Sequence, residues 1–268
     1  MGKSSVVLLL AVVASLLAGG TANAAPASSV VPAAYPVKNA STLTRNTLYS
    51  TGPLPATVCP ERPVRAGSAA SARTYLKALV RCLDVTWSAQ FLKARMPFSM
   101  PKVKFITKPE TVCGEKWRKS FAGLYCSSSK LIIVMLDRDV LSRPSDLFLM
   151  DVIAHEYGHH IQNISGIWGE YVRLPNRGKA EYYEQTRRHE LQAECLAGAF
   201  IGSVWKSLDR PDEDWRYLLD ASRRSGDENY KIRDHGKGKN IANWLNRGFK
   251  AASPSACNTW IARSAMVA

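Results

Sequence analysis

The chain is short of histidine, of acid and of long apolar runs, and each shortage narrows what it can be. Only five of its 268 residues are histidine. After the first twenty residues, no uncharged apolar stretch reaches the ~18 residues that a membrane-spanning helix needs, so no membrane anchor is expected in the mature chain. Asp and Glu number 22 against 36 Lys and Arg, a formal charge of +14. A surface of that sign attracts anionic partners such as acidic cell-envelope polymers. It is not a specific nucleic-acid module, because the basic stretches "RPVRAGSAASAR" and "HGKGKN" lack interleaved aromatic residues. No internal repeat is visible.

What is present begins with a targeting signal. Lys3 precedes the uncharged run "VVLLLAVVASLLAGG" and then Ala22-Asn23-Ala24, a small-residue cleavage site. Residues 1–24 are therefore expected to be a secretory signal peptide, and the mature protein to be secreted or held in the cell envelope. Residues 25–58, rich in Ala, Pro, Ser and Thr without periodicity, read as a flexible leader. Residues 59–268 are left as one domain. Six cysteines in an exported chain suggest three disulfides. Local closure favours Cys113–Cys126, with Cys59–Cys82 second, which leaves Cys195 for Cys257.

Apolar residues recur at helical spacing through "SARTYLKALVRCLDVTWSAQFLKARM". "KVKFIT" and "KLIIVML" read as strands, separated by the cysteine loop "CGEKWRKSFAGLYC". Ser145 then offers a cap for a helix from Asp146 to about Ile164, stopping before Gly166. The order is helix, strands, helix, further helices: an α+β domain, mainly helical with a small sheet.

The helix at 146–164 carries three of the five histidines, in "IAHEYGHHIQNISG". His155 and His159, four apart, lie about 40° apart in projection and one turn above each other. Glu156 is displaced about 100° from His155. This is the H-E-x-x-H pattern: two imidazoles on one zinc ion, and a carboxylate placed to act as base on the water that the metal activates. Gly158 inside the motif predicts close approach of another backbone, since a helical glycine otherwise costs about 1 kcal/mol relative to alanine. His160 is about 140° off the metal face and reads as a structural or supporting group. Asp151, one turn before His155, either orients that histidine or is an exposed helix charge.

A catalytic zinc takes three protein ligands and keeps one position open. The source for the third is "RRHELQAECLAGAFIGSVW", where Glu190 and Glu194 share a face with Ala193, Ala197 and Ile201. A carboxylate buried there needs a cation: the metal, or an arginine such as Arg173, Arg187 or Arg188. One glutamate can bind the metal while the other accepts a hydrogen bond from a ligating histidine. His189, directly before Glu190, is expected to face solvent.

"HEYGHHIQ" followed by "HELQAECLAG" resembles the bacterial family of putative neutral zinc metallopeptidases. "TVCGEKWRKSFAGLYCSSSKLIIVML" is similar to that family's cysteine loop and following strand, and "DHGKGKNIANWLNRGF" to its C-terminal segment. The likeness covers roughly residues 105–260. It implies a zincin-like fold with the sheet beside the H-E-x-x-H helix. It also implies one zinc on His155, His159 and Glu190, with Glu194 in the supporting place. The family has Asp where this chain has Glu194, which keeps Glu194 as the alternative ligand. At Asn240 and Ile241 the chain lacks the arginine-containing polar pair of the family.

The expected function is a secreted zinc metallopeptidase acting on peptide or protein substrate, with Glu156 as general base. Substrate is expected along "KLIIVML" as an edge strand. His235, in a glycine-rich stretch, is the candidate to stabilise the oxyanion at the scissile carbonyl, with Tyr230 as the second. The alternative is a catalytically inactive envelope protein of the same fold that binds peptides or anionic polymers.

Overall fold

The computed structural model describes residues 37–118, 121–142 and 145–268. The expected signal peptide and residues 25–36 lie outside them. Helix α2 (Ala69–Ala94), after the one-turn α1 (Ser41–Thr44) and ahead of the short α3 (Arg138–Ser142), starts where the Ser68 hydroxyl accepts from the Ser71 N–H, and ends at Arg95 in the left-handed conformation. Its apolar stripe of Tyr75, Leu76, Leu79, Leu83, Trp87 and Phe91 is fully covered, as the spacing requires. Helix α4 (Asp146–Ile164) has the expected bounds: the Ser145 hydroxyl accepts from the Phe148 N–H at 3.3 Å, with Asp146 in the first turn. Its covered face, including Met150, Ile153, Tyr157 and Ile161, lies in the main core with α2 and α6 (Lys179–Val204). The close approach expected at Gly158 is made by α6. A Cβ on Gly158 would stand 2.8 Å from the Ala193 carbonyl oxygen. Helix α6 also packs tightly on α8 (Gly238–Ala251), and α7 (Asp212–Arg224) lies against α8.

Strand β5 (Leu131–Met135) pairs in parallel with β1 (Lys102–Ile106) and antiparallel with β4 (Gly123–Cys126), giving the order β1-β5-β4. The cysteine loop also holds a short hairpin, β2 (Thr111–Val112) and β3 (Glu115–Lys116). "KLIIVML" is thus the central strand and not an edge, which corrects the expectation above. Ile132, Ile133 and Val134 are covered completely, and a continuous apolar run of that kind marks a strand buried on both faces. The free edge beside α4 is β4.

The flexible leader also requires correction. From Val37 onward the chain is a strap laid on the domain: the Val37 N–H donates to the Trp260 carbonyl, and the Leu54 N–H to the Ala252 carbonyl. Leu43, Leu48 and Leu54 are buried, and the Asn46 amide donates to the carbonyls of Thr42 and Ser165. A strap has little regular periodicity, so composition alone misread it. Cysteines pair as expected, Cys59–Cys82, Cys113–Cys126 and Cys195–Cys257, with Cα separations of 5.9, 5.9 and 5.4 Å. No helix among the described residues is long and apolar enough to cross a membrane.

Candidate metal centre

Helices α4 and α6 bring His155, His159 and Glu190 together, with one donor atom of each inside a common 4.8 Å span. Glu190 Oε2 lies 3.4 Å from His155 Nε2 and 3.2 Å from His159 Nε2. The opposite ring nitrogens are occupied: His155 Nδ1 meets Glu194 Oε2 at 2.9 Å, and His159 Nδ1 meets Gln162 Oε1 at 2.8 Å. Both acceptors call for a proton on Nδ1. In the neutral imidazoles each Nε2 then presents a lone pair toward a carboxylate oxygen. Three acceptors facing one another repel unless a cation lies between them, so the residues present fit a zinc ion. Charge agrees. Burial opposes the charged form of His155, yet Glu190 and Glu194 outweigh it and raise that imidazole well above its ordinary range. Burial likewise opposes the Glu190 carboxylate, yet His159 and His235 hold it well below the usual range.

A chain of amides sets the His159 tautomer. Gln162 donates through Nε2 to the His189 carbonyl and to Gln192 Oε1, which leaves its Oε1 for His159. Gln192 in turn donates to the Tyr49 hydroxyl and the Cys257 carbonyl, and its Oε1 accepts from Trp260 Nε1. The Cys195–Cys257 bridge and the N-terminal strap thus meet at the support of one histidine. Neither glutamine was singled out in the sequence, although Gln162 stands three residues after His159, within one helical turn.

His160 turns away, as its angle predicts. Its Nδ1 bonds the Tyr125 hydroxyl at 3.0 Å, its Nε2 the Ser99 carbonyl at 2.6 Å. His189 corrects the sequence reading. It is buried, stacked between His159 and Tyr171 at 4.9 and 4.6 Å with Trp168 edge-on, and neither ring nitrogen has a hydrogen-bond partner. Aromatic neighbours from α5 (Ile167–Arg173) and α4 make it the back wall of His159. Burial holds its imidazole neutral. Asp151 faces the cleft, and His155 takes Glu194 as partner instead. Asp151 is held protonated to unusually high pH by burial and by Glu194. Arg188 pairs with Glu184, and Arg173 with Glu170.

His235 joins the centre. Its Nε2 is 3.6 Å from Glu190 Oε2 and its Nδ1 is 2.6 Å from Asp234 Oδ1, with half of the side chain exposed. Burial lowers its pKa, but Glu190 and Asp234 prevail and push it up to about 9. Asp227 positions this loop by accepting from the backbone N–H groups of His235 and Gly236. Tyr230 lines the same cleft. Asn240 donates to the carbonyls of Ala265 and Ala268.

Glu156 forms part of the cleft wall, and burial pushes its carboxyl above the ordinary glutamate range. Strand β4 runs beside it. Two strand residues and four helix residues each rise about 6–7 Å, so the Tyr125–His160 bond keeps Gly123 in step with Glu156. The Met135 N–H donates to the Ala122 carbonyl. Antiparallel alternation then turns the N–H and C=O of Gly123 away from β5. A Cβ on Gly123 would stand 2.6 Å from Glu156 Oε1 and 2.7 Å from its Cγ. Only glycine lets the strand edge and the carboxylate occupy adjoining space. Gly123→Ala should fold and keep its metal content, because a side chain rather than backbone must give way. It should lose on the order of 10²-fold in turnover, the scale for a reacting group displaced by about 1 Å. Turnover and metal content measured on one preparation check this, and unchanged turnover would show that Glu156 tolerates the shift.

Two imidazoles from α4 and a glutamate from α6 converge, with a second glutamate behind the first histidine, the arrangement expected of an H-E-x-x-H metal centre. The chain belongs to the family described as "Putative neutral zinc metallopeptidase", whose model matches residues 55–260. Among its relatives, the uncharacterized protein YpfJ of Escherichia coli (strain K12) is 28% identical over 207 residues, spanning 70% of this chain and 71% of its own length. The uncharacterized protein Rv2575 of Mycobacterium tuberculosis (strain ATCC 25618 / H37Rv) is 31% identical over 131 residues, 41% of this chain and 43% of its own. No solved structure matches the chain.

Proposed function

We propose that this protein is an exported zinc-dependent peptidase that hydrolyses peptide bonds with Glu156 as general base. The observation that carries this reading is the convergence of three acceptor atoms, with both Nδ1 positions committed elsewhere, next to a carboxylate that has no such commitment. His155 Nε2, His159 Nε2 and Glu190 Oε2 would hold one zinc ion per chain. When bound, zinc lowers the pKa of a water toward neutrality and polarises the substrate carbonyl. Glu156 takes the proton from that water and hands it to the leaving amine. Its raised pKa suits a group that must first accept a proton and then release it. The substrate backbone pairs with the free edge of β4 at Gly123, the β-augmentation mode. His235 Nε2, 3.6 Å from Glu190 Oε2, is the group to meet the oxyanion. Three disulfides suit an oxidising compartment, in keeping with export through residues 1–24.

Metal removal tests the reading. The protein should carry one zinc per chain, lose peptide hydrolysis on chelation, and regain it on adding one equivalent of zinc. Hydrolysis that survives complete metal removal would overturn it. Zinc with no turnover on any peptide would favour the inactive, peptide- or polymer-binding alternative.

A further inference from the structure

The cleft is lopsided. Beyond the metal-side residues it continues along α4 toward the helix N-terminus, and there its walls turn mainly apolar around Asp151. Val152 and Phe148 lie about 6 and 12 Å before Glu156 along the axis, on the face that Glu156 continues. Facing them are Leu218 and Ala221 of α7 and Ile241 of α8, around a cavity of about 550 Å³ in all. Phe148 is 39% exposed, an apolar ring turned to open space at the wall of a cleft. Groups of both signs line the cleft, Arg118 and Lys231 against Glu194, Asp227 and Asp234, so charge selects no one kind of ligand. The apolar slot does.

We propose that the peptide cleaved here carries a large apolar side chain, of the leucine or phenylalanine kind, on the residue beside the scissile bond, lodged in the slot between α4 and α7. This rests on the peptidase reading and adds its substrate class. A peptide stretched along β4 advances about 3.3 Å per residue and turns alternate side chains to opposite faces. With its backbone at Gly123 and its scissile carbonyl near Glu156, one of the two flanking residues faces α4. The slot starts one helical turn from that point. A polar residue there would exchange its water for mainly apolar walls, whereas a leucine would cover Phe148 and Val152. Ile241 supplies one wall.

Cleavage-site profiling on a complex peptide library should show Leu, Phe, Met and Ile enriched at one of the two positions flanking the cut. Ala221→Phe should fill the slot. Its kcat/KM for a Leu-containing peptide should fall about 10–200-fold relative to the Ala-containing analogue, the usual range for pocket-size discrimination. Phe148→Ala, at an exposed site where folding is not at stake, should weaken the same preference. Glu156→Gln protein, titrated with acetylated pentapeptide amides that differ only as Leu, Ser or Lys at this position, should bind the Leu peptide most tightly. A flat profile, enrichment of Lys or Arg, or a profile unchanged in Ala221→Phe would each overturn the proposal. No cleavage of any peptide, with the Leu preference kept in binding, would remove the peptidase reading and leave the slot. Loss of both removes both.

Discussion

Glu156→Gln should retain one zinc per chain, fold as the parent, and lose peptide hydrolysis by about 10²–10⁴-fold, the contribution of a positioned general base. The amide has the shape of the carboxylate, so the space beside Gly123 stays filled and the β4 edge is undisturbed. It cannot take up a proton at neutral pH, so the water keeps its own and the leaving amine receives none. His155, His159 and Glu190 are untouched, so metal content is the internal control. Circular dichroism, metal analysis and turnover on one preparation separate the outcomes. Turnover close to the parent value would assign the base elsewhere. Loss of zinc would mean that Glu156 takes part in holding the ion.

The parts of this site legible in the sequence are those written inside one regular element. The Ser145 cap, the apolar period and the H-E-x-x-H spacing all lie in α4, and local rules place its histidines and Glu156 without knowledge of the rest. Glu190 and Glu194 are legible as a pair, because two acids one turn apart at the head of an otherwise uncharged run to Trp205 need an explanation. What could not be read depends on contacts between distant segments. His189 is buried by His159, Trp168 and Tyr171, and no local pattern marks that stack. The Gln162–Gln192–Trp260 relay joins residues 30 and 68 positions apart. Strand β4 is four residues long, too short for a period of two to stand out from a loop. For that reason no sequence pattern marks Gly123, and the neighbouring apolar run reads as the edge. The strap from Val37 onward escapes a local reading because Leu43 joins one core cluster and Leu48 and Leu54 another, with no regular period linking them.

The two glutamates of α6 should respond unequally to loss of charge. Glu190→Gln should weaken zinc affinity severely, because an anionic donor leaves a site where two imidazole nitrogens and this one oxygen converge. Glu194→Gln should lose about 10–100-fold, the scale for a partner that orients a ligating histidine. A glutamine side-chain oxygen can still accept from His155 Nδ1, but it holds the tautomer with a weaker, uncharged bond. Both variants keep the helix, since glutamine and glutamate have similar helix propensity. Circular dichroism should therefore match before affinities are compared by competition with a chelator. The Glu194 side chain is 10% exposed and that of Glu190 17%, so burial alone would predict the larger penalty at Glu194. The expected order is the reverse, which makes the comparison a test of coordination. If Glu194→Gln proved the more damaging, the ligand would lie one turn further along α6. Equal and small losses would place the third ligand outside this helix, with the cluster at His235, Asp234 and Asp227 the next to probe.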